Sequence, residues 1–331
     1  MTHSTLPGRA ALRVAISEAI DQHSLRHLPQ SVEVVRYSIA GDDTHEVDML
    51  VPPGFGKQAA DVIPRIRTRY IQTVSAGVET VRPMVPEGVV LCNAQGVHNA
   101  STAEWAVTAI LASLKWIPFY DELRREGVWG GRAQADAYWT ETYGSAHSAG
   151  APILLEELAE KTVLIVGYGS IGKAIEARLA PFEPGRIVRL ARTRREGVHG
   201  VDELNALLPE ADIVVLIMPL TPDTHHMIGR EQLARMRRGA FLVNAARGAV
   251  VDTDALVEAL EAHHIRAALD VTEPEPLPAG HPLWKAPGLL LTPHIAGSSP
   301  LFLDRVFRFV GQQLQHLLNG EQPENIITGE Y

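Results

Sequence analysis

The chain is poor in cysteine, in aromatic residues and in any large excess of one charge. Its 331 residues hold one cysteine, Cys92, so no intramolecular disulfide can form. Cys92 ends the apolar run Val89-Val90-Leu91-Cys92 and reads as a buried strand residue. No apolar run approaches the ~20 residues that cross a bilayer. No basic flank followed by a signal-length apolar stretch stands at the N-terminus. A reducing cytoplasm is the expected setting. Lys plus Arg is 30 and Asp plus Glu is 39, a net charge of -9, which gives no basic footprint for nucleic acid or an anionic membrane. Internal repeats, low-complexity tracts and coiled-coil heptads are lacking too. What is present is an ordinary globular balance, 46% hydrophobic and 21% charged, in a chain long enough for two domains.

Short apolar runs alternate with helical stretches, the rhythm of parallel sheets covered by helices. In the first part Leu12–Ser17, Glu33–Ser38, Tyr70–Val74 and Val89–Cys92 read as strands, with a helix over Lys57–Arg67. A long helix is expected from Ser101 to Glu126, capped by Ser101 or Thr102. The aromatic, Gly- and Ala-rich stretch Trp129 to Gly150 shows no period and reads as an ordered surface loop. A second alternating block starts near Lys161. Its strands are expected at Thr162–Val166, Arg186–Leu190, Ile213–Met218, Ala240–Val243, Ala267–Leu269 and Leu289–Leu291. Helices fall at Ile171–Phe182, Asp202–Leu208, Arg230–Met236 and Thr253–His263, and a last one runs from Pro300 to Asn319.

The run Thr162–Val166 leads into Gly167-Tyr168-Gly169-Ser170-Ile171-Gly172, and a helical stretch follows. This is the context a dinucleotide-binding glycine motif requires. Gly167 permits the tight turn, Gly169 lets backbone approach a pyrophosphate, and Gly172 lets helix pack on strand. First-turn amides such as those of Ser170 and Ile171 can then donate to phosphate. About 20 positions past the last glycine an acidic residue usually binds the ribose 2′-hydroxyl. Here Ala191 stands in that region, followed by Arg192, Thr193, Arg194 and Arg195. Guanidinium groups suit a phosphate. NADP(H), held by Arg192, Thr193 and Arg194, is therefore the expected cofactor. NAD is the alternative, with these arginines simply solvated.

Three further segments carry chemistry-bearing side chains. Arg247 follows the apolar run Phe241-Leu242-Val243. Asp270 ends another, and Glu275 lies beyond it between Pro274 and Pro276. His294 follows Leu291-Thr292-Pro293. Histidine titrates near pH 6.5 and is a natural general acid. A carboxylate stabilises its charged form, and an arginine fork matches an α-keto carboxylate. Each group alone could be structural; all three at strand ends of one sheet suit reduction of a carbonyl beside a nicotinamide. His225 and His226, after Pro222-Asp223-Thr224, read as surface turn residues, and no metal ligands are assigned.

These segments, together with Val74–Glu79, Asn93–His98, Pro219–Thr224, Val251-Asp252 and Pro293-His294, resemble the D-isomer-specific 2-hydroxyacid dehydrogenases of the glyoxylate/hydroxypyruvate reductase kind. The resemblance runs from about Tyr70 to Asn319. It implies an α/β chain of two Rossmann-like or flavodoxin-like domains, each a doubly wound parallel sheet, with a cleft between them. Residues 1–98 and 296–331 would form the substrate-binding domain, and residues 99–295 the NAD(P)-binding Rossmann domain. It further implies that Arg247 binds substrate, that His294 is the acid/base and that Glu275 is its partner. The amides of Ala76 and Gly77 would receive the substrate carboxylate, with Arg247 and His294 beside it. Asp270 and the Ala245 carbonyl would hold the nicotinamide carboxamide, and Pro219, Thr224 and Gly297 would also line the cofactor. A homodimer joined through the cofactor domain is implied. A small 2-keto or 2-hydroxy acid is the expected substrate. Glu275 argues against formate oxidation, where a Gln stands at this position. Dinucleotide-sensing corepressors resemble the same family and are the alternative class. Departures are Glu79 where Asp is common, the missing ribose acid, the stretch 129–150, and the loop near Met49-Leu50-Val51-Pro52.

Overall fold

The computed structural model describes residues 11–54, 56–129, 131–143 and 156–328. The chain forms two compact units, residues 1–98 with 298–331 and residues 99–297.

Unit 1 is built on a five-stranded sheet. Its strands are β1 (Arg13–Ser17), β2 (Glu33–Tyr37), β4 (Met49–Val51), β6 (Tyr70–Gln72) and β7 (Val90–Cys92), in the order β2-β1-β4-β6-β7. Every pairing is parallel. Counting only these strands the order is 2-1-3-4-5, the flavodoxin-like doubly wound pattern. Two short pieces, β3 (His45–Glu46) and β5 (Ile66–Arg67), pair separately. Burial on both faces explains the near-continuous apolar strands. Val14 and Ile16 join one core with Met49 and Val51, while Ala15 joins the opposite core with Leu50 and Ile71. Helix α1 (Gly56–Val62) covers the second face, and α9 (Phe302–Leu318) returns to cover the first with Val306, Phe307, Val310 and Leu314. Strand β4 stands where a loop is expected near Met49–Pro52. Three buried apolar residues are too short a run to announce a strand, yet they sit at the centre of the sheet.

Unit 2 carries a seven-stranded sheet of β8 (Thr162–Val166), β9 (Arg186–Ala191), β10 (His199–Gly200), β11 (Ile213–Leu216), β12 (Ala240–Asn244), β13 (Ile265–Leu269) and β14 (Leu289–Leu291). The order is β10-β9-β8-β11-β12-β13-β14, all parallel. The direction of winding reverses between β8 and β11, so a ligand crevice is expected outside their carboxyl ends. Alternate residues again feed two cores. Leu164 and Val166 face the layer holding α6 (Leu204–Leu207), α7 (Arg230–Arg235) and α8 (Thr253–Glu261). Val163 and Ile165 face α2 (Asn99–Leu114) and α5 (Ser170–Leu179).

Two expectations fail in the region before β8. The single helix over 101–126 is two, α2 and α3 (Ile117–Arg125), separated at Trp116, whose φ is 53°. Pro118 opens α3, where its missing N–H costs nothing. Ser101 and Thr102 are not caps, since α2 already starts at Asn99. The stretch 129–150 is not a loop over its described part: α4 spans Gly131–Tyr143. Alanines supply helix propensity, and Ala135 and Tyr138 pack on Trp116 and Phe119. Residues 144–150 lie outside the described set. Among the described residues, no helix is long and apolar enough to cross a membrane.

Candidate active site

The glycine motif sits at the carboxyl end of β8. Gly167 has φ +97°, and a Cβ there would lie 2.5 Å from the Met218 amide nitrogen on the neighbouring strand exit. Only glycine fits both demands. A Cβ on Gly172 would meet Gly167 O, Ile165 and Tyr168 at 3.3 Å, so this position packs helix onto strand. Gly169 is different: its nearest neighbour would be 3.8 Å away. It leaves room in front of the loop, which is where a pyrophosphate would approach. The first intrahelical bond of α5 runs from Lys173 N–H to Gly169 O at 3.0 Å. The amides of Ser170, Ile171 and Gly172 precede it, at the positive end of the helix. The residues present thus fit a dinucleotide.

Past β9 the chain makes a tight turn, closed by Arg195 N–H to Val198 O at 3.0 Å. Arg192, Thr193 and Arg194 are exposed between β9 and this turn. Their neighbours divide the work among the arginines. Glu203 holds Arg194 at 2.5 Å, and that pairing with His199 and the Gly200 amide keeps the Glu203 carboxyl down at about 2. Arg195 donates to Tyr168 O at 2.6 Å, bracing the glycine loop. Arg189, inside β9, pairs with Glu176 at 2.7 Å, which raises its pKa above the ordinary arginine value.

The loop after β11 carries Pro219 and Thr224. The Thr224 hydroxyl accepts from Thr221 N–H at 2.7 Å and donates to Pro219 O at 2.7 Å, closing the turn.

Arg247 and Ala245 lie just past β12. Asn244 organises their backbone: its Oδ1 accepts from Ala246 N–H at 3.0 Å and its Nδ2 donates to Arg247 O at 3.0 Å. Asn244 is buried, and sequence reasoning gave it no role. Its place directly after a buried apolar strand was the available signal. Arg247 is half-buried and donates to Ala246 O at 2.7 Å. At Gly248 a Cβ would collide with the Thr272 and Glu273 backbone. That close approach fixes the segment bearing Arg247 against the loop bearing Glu275.

His294 and Glu275 meet directly. The imidazole Nδ1 lies 2.6 Å from Glu275 Oε1, with the two side chains 46% and 41% exposed. The other ring nitrogen, Nε2, is the one left to face a substrate. The His294 backbone has φ 54°, unusual for a non-glycine residue. Asp270 over-determines it. Asp270 O accepts from His294 N–H at 2.7 Å. Its Oδ1 accepts from the Thr292 hydroxyl at 2.6 Å and from Ile295 N–H at 2.8 Å. Its Oδ2 accepts from Ala296 N–H at 2.7 Å. Trp105 Nε1 of α2 donates to Thr292 Oγ1 at 3.0 Å, and Ser101 Oγ donates to Gly297 O at 3.1 Å. The buried Asp270 carboxylate therefore anchors the histidine loop. Thr292 and Trp105, unassigned from sequence, complete that anchor.

In unit 1, Ala76 and Gly77 follow β6. Their carbonyls accept from Asn93 Nδ2 at 2.8 Å and Ser75 Oγ at 2.9 Å. A pocket of ≈ 300 Å³ adjoins Ser75, lined by Ile20, Tyr37, Val51, Pro53, His98 and Phe302 among others.

Residues 107–296 match the model of the D-isomer specific 2-hydroxyacid dehydrogenase NAD-binding domain. A glyoxylate reductase of Thermofilum pendens is 32% identical over 98% of this chain and 92% of its own. A glyoxylate/hydroxypyruvate reductase B of Pectobacterium atrosepticum is 36% identical over 79% of each. A D-isomer specific 2-hydroxyacid dehydrogenase of Xanthobacter autotrophicus, solved with NADPH and MES, superposes with a TM-score of 0.75 at 27% identity. That match covers 96% of this chain and 98% of that one. The chain belongs to the D-isomer specific 2-hydroxyacid dehydrogenase family. It is built to bind a nicotinamide dinucleotide.

Proposed function

We propose that the protein reduces a small 2-keto acid of the glyoxylate or hydroxypyruvate type to its 2-hydroxy acid, with NADPH preferred. The observation that carries the proposal is the 2.6 Å pair between His294 Nδ1 and Glu275 Oε1. The bound nicotinamide supplies the hydride. As negative charge grows on the substrate oxygen, His294 donates a proton from Nε2. Glu275 holds the Nδ1–H tautomer and stabilises the imidazolium before transfer. Arg247 orients the carboxylate and polarises the carbonyl, since its planar fork matches both oxygens. The amides of Ala76 and Gly77 receive the carboxylate, and the Ala245 carbonyl orients the carboxamide. Asp270 contributes by fixing His294.

The relatives named above are reductases of glyoxylate and hydroxypyruvate, which supports the substrate class. NADPH is favoured because Ala191, at the end of β9, stands where an acidic ribose ligand is usual, and Arg192 and Thr193 are exposed just beyond it. Arg192, Thr193 and Arg194 are the phosphate ligands in this reading, with Arg194 also paired to Glu203. A homodimer through unit 2 is also proposed. Ile117, 56% exposed at the start of α3, and Trp129, 97% exposed just beyond it, are apolar surface that a partner would cover. Steady-state assays with glyoxylate and hydroxypyruvate, each with NADPH and NADH, test the proposal. Turnover with NADPH exceeding that with NADH supports it. Dinucleotide binding without turnover on any 2-keto acid would instead indicate a sensor.

A further inference from the structure

The turn after β11 places two histidines where the fold also delivers a carboxylate. His225, His226 and Glu273 each offer a ligand atom, and all three lie within 4.8 Å of one another. His226 Nε2 is 2.7 Å from Glu273 Oε2, and the two imidazoles stack with centroids 4.0 Å apart. Consecutive side chains ordinarily diverge along a chain. Here His226 adopts φ 49°, and the rings stay together. The backbone behind the cluster is tied down from both sides by one segment. His226 N–H donates to Ala249 O at 2.8 Å, and Ile228 N–H donates to Val250 O at 3.0 Å. Thr253 Oγ1 donates to Glu273 O at 2.8 Å, and Gly248 lets the Thr272–Glu273 backbone lie directly on it. The two ligand-bearing loops therefore share a common support over residues 248–253.

We infer that His225, His226 and Glu273 form a surface site for a borderline divalent transition-metal cation, with Zn²⁺ as the representative. Two imidazoles and one carboxylate are a ligand set such cations favour over Mg²⁺ or Ca²⁺, which want oxygen donors. Metal–ligand bonds of about 2.0–2.2 Å in a tetrahedron imply ligand atoms roughly 3.3 Å apart. The two exposed imidazoles and the half-buried Glu273 carboxylate already hold their ligand atoms within 4.8 Å of one another. Three protein ligands leave a fourth position to water or an external ligand. A bound cation would strap the β11 exit loop to the loop that carries Glu275. The site is separate from the His294–Glu275 pair and does not depend on the proposed reaction.

The test uses tag-free protein stripped by chelator, titrated calorimetrically with ZnCl₂. One saturable Zn²⁺ per chain is expected, weakened about tenfold or more in both His225→Ala and Glu273→Gln. His316→Ala, a histidine elsewhere on the surface, should bind as the parent does. Should a variant fold poorly, diethyl pyrocarbonate labelling of the parent chain replaces it: Zn²⁺ should protect His225 and His226 selectively. Absence of saturable binding overturns the inference. So does binding that both variants retain unchanged, or labelling of the two histidines that Zn²⁺ leaves unaltered.

Discussion

At the scale of single residues, the proposed proton transfer turns on how His294 is held. Its ring meets a carboxylate 2.6 Å away, and its left-handed backbone is pinned by Asp270. Replacing Glu275 with Gln keeps a hydrogen-bond acceptor but removes the charge that favours imidazolium. kcat for keto-acid reduction should fall, because the imidazolium loses its paired charge. An unchanged kcat would remove Glu275 from the proton pathway. Gly167 offers an independent check on the cofactor. A methyl group there meets both an unfavourable φ and the Met218 backbone. Gly167→Ala should therefore abolish measurable NADPH binding by fluorescence titration, and unaltered affinity would contradict the placement. The glycine motif, Arg247, Glu275 and His294 were legible from sequence because each follows a readable apolar strand. Asn244, Thr292 and Trp105 were not, since their work depends on which loops the fold brings beside them.

At the scale of elements, helices and strands long enough to show a period were readable, and short or interrupted ones were not. β4 has three residues and no alternation. The break between α2 and α3 depends on a left-handed Trp116 buried against α4, a tertiary choice that local propensity cannot reveal. Helix α9 is tied to unit 1 in two ways that can be measured separately. Gly311 packs so closely on His27 O that a Cβ would collide. Gly311→Ala should lower unfolding free energy by about 1–3 kcal/mol, as overpacking usually does, read from denaturant melts. Asp304, near the start of the same helix, is bonded to His27 and Arg308 and lies beside Arg26. These contacts hold its carboxyl down to about 2. A depressed folded-state pKa stabilises the fold above the ordinary carboxylate range. That contribution fades as pH falls from about 4 toward 2. Acid unfolding monitored by circular dichroism should be less steep through that window in Asp304→Asn; identical curves would show that the pair adds nothing.

At the scale of the whole molecule, each unit is a doubly wound parallel sheet, and the alternation of strands and helices announced that architecture. The 3-2-1-4-5-6 order of β10-β9-β8-β11-β12-β13, extended by β14, puts the glycine loop, Arg247 and His294 at strand exits of one sheet. The missing ribose acid was legible in the sequence, but the pairings of Arg194 and Arg189 were not, because Glu203 and Glu176 arrive from other elements. If Arg192 binds a 2′-phosphate, Arg192→Ala forfeits a charged hydrogen bond of about 1.5–3 kcal/mol. kcat/KM with NADPH should then drop roughly tenfold to a hundredfold, while that with NADH stays within about twofold. An equal loss with both cofactors would place Arg192 outside phosphate recognition.

The most direct measurement is the single-turnover rate of His294→Ala with saturating NADPH and glyoxylate, alongside its NADPH dissociation constant. The expected result is a rate about 10²–10⁴ lower with cofactor affinity unchanged, the contribution of a lost general acid. A variant that reduces glyoxylate as fast as the parent would contradict the account at its centre.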